Sequence, residues 1–146
     1  MKVKQLISAP EISARVQEIG YEISESHDGP ILLLSVLRGS FCFTADLMRV
    51  LPGDVEIGFI SASSYEGFHN SEIIFHGSDM DNIEHKNVVI VEDIVDSGRT
   101  LDYLLSIISD LKPKSIKICA LLNKASRRQQ DLYLDYIGFE IGNRFV

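Results

Sequence analysis

The chain has 146 residues, 45% hydrophobic and 24% charged, a balance that suits one soluble domain with a real core and excludes a disordered chain. Its net charge of −7 opposes general nucleic-acid binding, which depends on neutralising phosphates with Lys and Arg, so an anionic substrate requires a local basic cluster. No apolar run approaches the ~20 residues that span a bilayer, and MKVKQLISAP lacks the apolar stretch of a signal peptide, so a cytoplasmic, membrane-free protein is expected.

Ser8, Pro10 and Glu11 form a helix start, with Ser8 as cap and Glu11 completing a capping box, and the helix is expected from about Pro10 to Ser26. His27-Asp28-Gly29-Pro30 breaks it. ILLLSV (31–36) is a continuous apolar run between turn residues, the pattern of a strand buried on both faces of a parallel sheet. After LRGSF, the residues Phe41, Phe43, Ala45, Leu47, Met48 and Leu51 thread a second helix that ends before Pro52-Gly53. VEIGFISAS (55–63) alternates as a strand; Ser64 to Ser71 has the composition of a mobile loop, with EIIFHG a short strand behind it.

VVIVED (88–93) is the most apolar strand candidate, and LDYLLSIISDLK after it places Leu101, Leu104, Leu105, Ile108 and Leu111 on one helical face. SIKICALL (115–122) and YIGFEI (136–141) complete the strands. Cys42 and Cys119 lie in apolar stretches with no second Cys or His at metal-ligand spacing, and both are expected to be buried small hydrophobes. Strands alternating with helices imply an α/β fold with a parallel sheet, whose ligands bind at the carboxyl ends of the strands. LRGS, EDIVDSGRT and NKASRR should therefore meet at one crevice.

DSGRT sits between a buried strand and an amphipathic helix, where unpaired backbone N–H groups favour an anion. The plainer reading, Asp96 or Ser97 capping the helix and Gly98 easing the turn, stands equally open. No GxxxxGK[ST] or GxGxxG motif is present. Glu92 and Asp93 would repel a phosphate unless they serve something else: hydrogen bonds from sugar hydroxyls, or Mg2+, which binds through one or two carboxylates plus substrate phosphates. The alternative is a pair of solvated acids at a strand end.

VVIVEDIVDSGRTL resembles the phosphoribosyl diphosphate signature of the type I phosphoribosyltransferases. SVLRGSFCFTADLMR, SASSYEG, ALLNKASRR and YIGFEIGNRFV resemble, in that order, segments of the hypoxanthine-guanine members, so the likeness covers nearly all of residues 31–146. It implies a Rossmann-like parallel sheet flanked by helices, one domain over 1–146, and a purine salvage transferase joining hypoxanthine or guanine to phosphoribosyl diphosphate. Glu92 and Asp93 would meet the ribose hydroxyls and the magnesium-bound diphosphate. Asp96 would lie near purine N7 as general base or acid, and Ser97, Gly98, Arg99 and Thr100 would cradle the 5′-phosphate. Leu37-Arg38-Gly39 would be the pyrophosphate loop, with a cis Leu37–Arg38 bond, and Ser64-Tyr65 the tip of a closing lid. Lys124 would donate to the purine 6-oxo group, Phe145 would stack on the base, and the Val146 backbone would contact it. Taken alone, Lys124 reads as a solvated cation, Tyr65 as a loop anchor and Phe145 as core; Arg127 and Arg128 supply the basic cluster. The likeness also implies a homodimer or homotetramer.

The sequence departs from the family pattern at Asn123, usually Asp; at Ala125, often Pro; at Gly142, usually Pro; and at Arg38, Lys in some members. Members normally continue a few dozen residues beyond the position of Val146, so the base wall at Phe145 and Val146 is expected to lack support. The rival readings are a xanthine-preferring relative, an RNA-binding regulator of the same fold, and a shortened chain that binds nucleotide without turnover.

Overall fold

The Ser8 hydroxyl accepts from Glu11 N at 3.3 Å while the Glu11 carboxylate accepts from Ser8 N at 2.7 Å, so the expected capping box opens helix α1 (Ala9–Glu25). The structure, a computed structural model, describes residues 3–66 and 71–144; the side chains of 63–66, 71–76, 78 and 81 lie outside that description. The chain continues through β1 (Ile31–Leu37), α2 (Phe41–Val50), β2 (Val55–Glu66), β3 (Ser71–His76), β4 (Asn87–Val95), α3 (Arg99–Asp110), β5 (Ser115–Asn123) and β6 (Tyr136–Glu140). Among the described residues no helix is long and apolar enough to cross a membrane.

The strands form one sheet in the order β3-β2-β1-β4-β5-β6. Five run parallel, as expected, but β3 pairs antiparallel with β2. That pairing corrects the ends of the loop expected from Ser64 to Ser71, since Ser64 pairs with Ile73 and Tyr65 with Glu72; the middle of that loop, 67–70, lies outside the described residues. Leu37, the last residue of β1, pairs with Ser61, so β2 runs five residues past its neighbour, roughly 17 Å of strand beyond the carboxyl edge.

Alternation along the central strands fills both faces. Leu32, Leu34, Val36, Val88 and Ile90 pack with Leu101, Leu104 and Ile108 of α3, while Leu33, Val89 and Val91 pack with Ile19 and Ile23 of α1 and Phe43 and Leu47 of α2. A strand with apolar neighbours on both sides has no polar face to show, which is why ILLLSV and VVIV read as continuous runs. Arg15 of α1 ties the far edge down, its Nη2 donating to Ile137 O at 2.6 Å.

Helix α2 forms where expected, but the burial expected of Cys42 fails and two of the helix's large apolar side chains face outward. Phe41 is 59% exposed, Met48 47% exposed, and Cys42 is exposed rather than buried, whereas Cys119 is buried as expected. The apolar run FCF spans about 200° of helix, so of those three only Phe43 turns inward, on the face that Thr44 and Leu47 continue. Burial in the sheet pushes the Cys119 thiol far up, so it stays protonated and inert.

Candidate active site at the carboxyl edge of the sheet

Because β1, β2, β4, β5 and β6 are parallel, their carboxyl ends lie along one edge, and a cleft of about 320 Å³ opens there. Val36, Leu37 and Gly39 line one side, Ala62 of β2 another, and residues 92–101 the floor. Of the three segments expected to meet at one crevice, LRGS and EDIVDSGRT line this cleft and NKASRR does not. Ala62 was not singled out from the sequence; it enters through the overrun of β2, for which nothing local gives a signal.

The floor is the turn from β4 into α3. Gly98 occupies the cap position of α3 with φ 81°, a left-handed conformation that glycine accepts at no steric cost, and no side chain caps the helix. The capping reading of Asp96 and Ser97 is therefore set aside: the Ser97 hydroxyl reaches only Arg99 N, at 3.4 Å. A helix start without a side-chain cap, facing a cleft lined by Ser97, Gly98, Arg99 and Thr100, leaves backbone N–H groups and the positive end of the helix dipole available to an anion.

Glu92 and Asp93 lie beside it on the same wall. Burial, with the Asp93 carboxylate as neighbour and hydrogen-bond partner, pushes the Glu92 carboxyl up to about 8. Both acids are half-buried. The Asp93 carboxylate accepts from Ile94 N at 2.9 Å and presses against Gly39, where any Cβ would collide with it. Gly39 is needed because the turn after β1 and the acids of β4 touch there. The Leu37–Arg38 bond is cis, as the resemblance implies. Arg38 is exposed beside the cleft lining.

Asp96, on the floor of the cleft, is half-exposed, its carboxylate paired with Arg127 Nε at 2.8 Å, and its carbonyl accepts from Arg128 Nε at 3.2 Å. Arg128 also donates to Asn123 Oδ1 and packs under Gly98, where a Cβ would lie 2.9 Å from its Cδ. The expected basic cluster is present but engaged: one arginine holds the acid and the other props the turn. Asn123 Nδ2 in turn donates to both carboxylate oxygens of Glu140 at 3.0 Å. An Asp at 123 would set two carboxylates face to face there, which accounts for the departure. Gly142 has φ 65°, which proline cannot adopt, so that departure alters the backbone itself.

Lys124 is only 8% exposed and its N–H is bonded to Val95 O at 2.9 Å, so the solvated-cation reading fails, although Lys124 does not line the cleft. Ser64 and Tyr65 are placed by backbone alone, on the hairpin beyond the edge. Phe145 and Val146 lie outside the described residues.

A carboxylate pair in which one member is held protonated by burial and by the other's charge fits a divalent cation, which would relieve that repulsion. Among the described residues no cluster of three or more His, Cys, Asp or Glu side chains forms a complete metal cage, so a cation here would draw its remaining ligands from substrate or water.

The family model for the phosphoribosyl transferase domain matches residues 2–146. The chain is 42% identical to hypoxanthine phosphoribosyltransferase of Escherichia coli and 39% identical to hypoxanthine-guanine phosphoribosyltransferase of Aquifex aeolicus, each match covering 99% of this chain and 84% of the relative. A crystal structure of a hypoxanthine-guanine phosphoribosyltransferase from Bacillus anthracis superposes with a TM-score of 0.88 at 42% identity, over 98% of this chain and 84% of that one. With a cleft that joins an uncapped helix start to a half-buried acid pair on this sheet edge, and a family model and relatives matched along the whole chain, the protein belongs to the phosphoribosyl transferase family.

Proposed function

We propose that the chain transfers the phosphoribosyl group of phosphoribosyl diphosphate to hypoxanthine or guanine, giving IMP or GMP and pyrophosphate. The observation that carries this reading is the cleft itself, where an anion-binding helix start and a pair of carboxylates face a second turn across a space of about 320 Å³. A substrate with a phosphate at one end, hydroxyls in the middle and a diphosphate leaving group uses all three features. The bases come from the relatives named above.

In this reading residues 97–100 hold the 5′-phosphate through backbone N–H groups and the helix dipole. Glu92 and Asp93 accept from the ribose hydroxyls and would hold Mg2+, which supplies charge neutralisation to the departing diphosphate. Leu37-Arg38-Gly39 holds that diphosphate, and Arg38 stabilises the charge that grows on it as the bond from C1 to oxygen breaks. The purine nitrogen bonds to C1 while Asp96 exchanges a proton at N7. Lys124 donates to the 6-oxo group, with Phe145 and Val146 against the base. The β2–β3 hairpin, carrying Ser64 and Tyr65, shields the oxocarbenium-like sugar from water.

The protein is read as cytoplasmic and as a homodimer or homotetramer. Phe41, Met48 and Phe59, exposed around one apolar hollow on α2 and β2, offer surface for assembly, and sedimentation at micromolar concentration tests that. The function is tested by nucleotide formation with hypoxanthine, guanine, xanthine, adenine and uracil, each with magnesium and phosphoribosyl diphosphate. IMP and GMP should form fastest; dominant turnover of xanthine or of uracil would overturn the base assignment.

A further inference from the structure

Three hydroxyls lie buried beneath the turn after β1: Ser35 and Ser40 at 0% exposure and Thr44 at 1%. Ser40 Oγ donates to Val36 O at 2.6 Å, Ser35 Oγ and Ser40 Oγ are 2.7 Å apart, and Thr44 Oγ1 lies 2.8 Å from both Ser35 Oγ and Ser40 O. Each hydroxyl has one proton, which fixes the direction of the chain. Ser40 spends its proton on Val36 O, so Ser35 must donate to Ser40, and Thr44 donates to Ser35, shared with Ser40 O. The run is Thr44 to Ser35 to Ser40 to Val36 O, with every proton used.

Its placement is informative. Val36 precedes the turn Leu37-Arg38-Gly39 and Ser40 follows it, so the run clamps both ends of three residues, and Phe41 N closes the turn on Arg38 O at 3.2 Å. Burying hydroxyls brings no hydrophobic gain, and a purely packing role would be met by apolar side chains of the same shape. The clamp instead fixes where Gly39 meets the Asp93 carboxylate, the contact that joins this turn to the acid pair. Being neutral, it does so without setting a charge under an anion.

We propose that Thr44 and Ser35 are positioning residues that hold the turn 37–40 in the geometry that binds pyrophosphate, and so set affinity for the diphosphate substrate and not for the nucleotide. This rests on the assignment of that turn to pyrophosphate made under Proposed function.

The test measures binding of magnesium pyrophosphate and, separately, of IMP to the full chain by calorimetry, with melting temperature as a control. Thr44→Val keeps the shape and removes the donor; it should weaken pyrophosphate about tenfold while IMP changes less than about twofold. Thr44→Ser should restore pyrophosphate binding. Ser35→Ala, which removes the middle link without added bulk, gives an independent reading should Thr44→Val fold poorly. Equal weakening of both ligands, or unchanged pyrophosphate binding in Thr44→Val and Ser35→Ala, would overturn the positioning role. Wild-type protein that binds IMP but no pyrophosphate would instead overturn the assignment of the turn, and the inference with it.

Discussion

Two turns at the same sheet edge are supported in opposite ways. The turn 37–40 rests on neutral hydroxyls from residues nine or fewer positions away, Ser35 to Thr44. The turn 96–98 rests on cations and backbone bonds from some thirty residues further along: Arg127 on the Asp96 carboxylate, Arg128 on the Asp96 carbonyl, and Gln129 N on Ser97 O at 2.9 Å. The first support is dry and short-ranged. The second brings positive charge toward the turn proposed to hold the 5′-phosphate but leaves part of it in solvent, where ions screen it. Substitutions in the two supports should therefore separate the ligands.

The largest expected effect comes from the second turn. Asp96→Asn should lower turnover roughly 100- to 10,000-fold while leaving pyrophosphate affinity near wild type, since proton exchange is lost and the other turn is untouched. Steady-state kinetics alongside pyrophosphate calorimetry checks this, and near-normal turnover removes Asp96 from the chemistry. Gly98→Ala comes next. At φ 81° an alanine is strained by about 1–3 kcal/mol, and its methyl would also displace the Arg128 side chain, so IMP binding should weaken while pyrophosphate binding holds. That is the mirror image of Thr44→Val; parallel losses in both variants would erase the distinction between the turns.

Glu92, between the turns, links them to pH. Its folded carboxyl titrates near 8 against an ordinary value of 4.5, so between those limits the native state holds a proton that the unfolded chain has released. Stability from this group is full below about pH 4.5 and falls as pH rises toward 8, by up to about 1.4 kcal/mol per pH unit. Thermal unfolding from pH 5 to 8 without magnesium should show that slope in wild type and a flatter one in Glu92→Gln. The smallest effect belongs to Arg127→Gln. Its pair with Asp96 is about half exposed on both sides, so stability should change by less than about 1 kcal/mol in chemical denaturation, with IMP affinity becoming less sensitive to salt.

The sheet was legible because burial on both faces leaves no ambiguity in runs such as VVIV, and α3 because Leu101, Leu104 and Ile108 keep helical spacing. The turn from strand to helix was legible in DSGRT, though side-chain capping remained an equal reading until Gly98 was seen in the cap position. What stayed hidden depends on contacts distant in sequence. Nothing near Asp96 announces Arg127, and nothing near Asn123 announces Glu140. Ser35 sat unnoticed inside ILLLSV because one hydroxyl in an apolar run means little until its partners are placed. Cys42 misled because apolar neighbours in sequence set a buried face only when the partner layer is known.

The most direct measurement is calorimetry of the product pair on Asp96→Asn, which keeps both turns while slowing the reverse reaction. Protein saturated with IMP is titrated with magnesium pyrophosphate. If the two turns are separate halves of one transferase site, pyrophosphate binds the IMP complex with a stoichiometry of one per chain. Competition, in which pyrophosphate binds only by displacing IMP, would mean that the cleft holds a single anion site and would contradict the reading of this protein as a phosphoribosyl-transferring enzyme built on two turns.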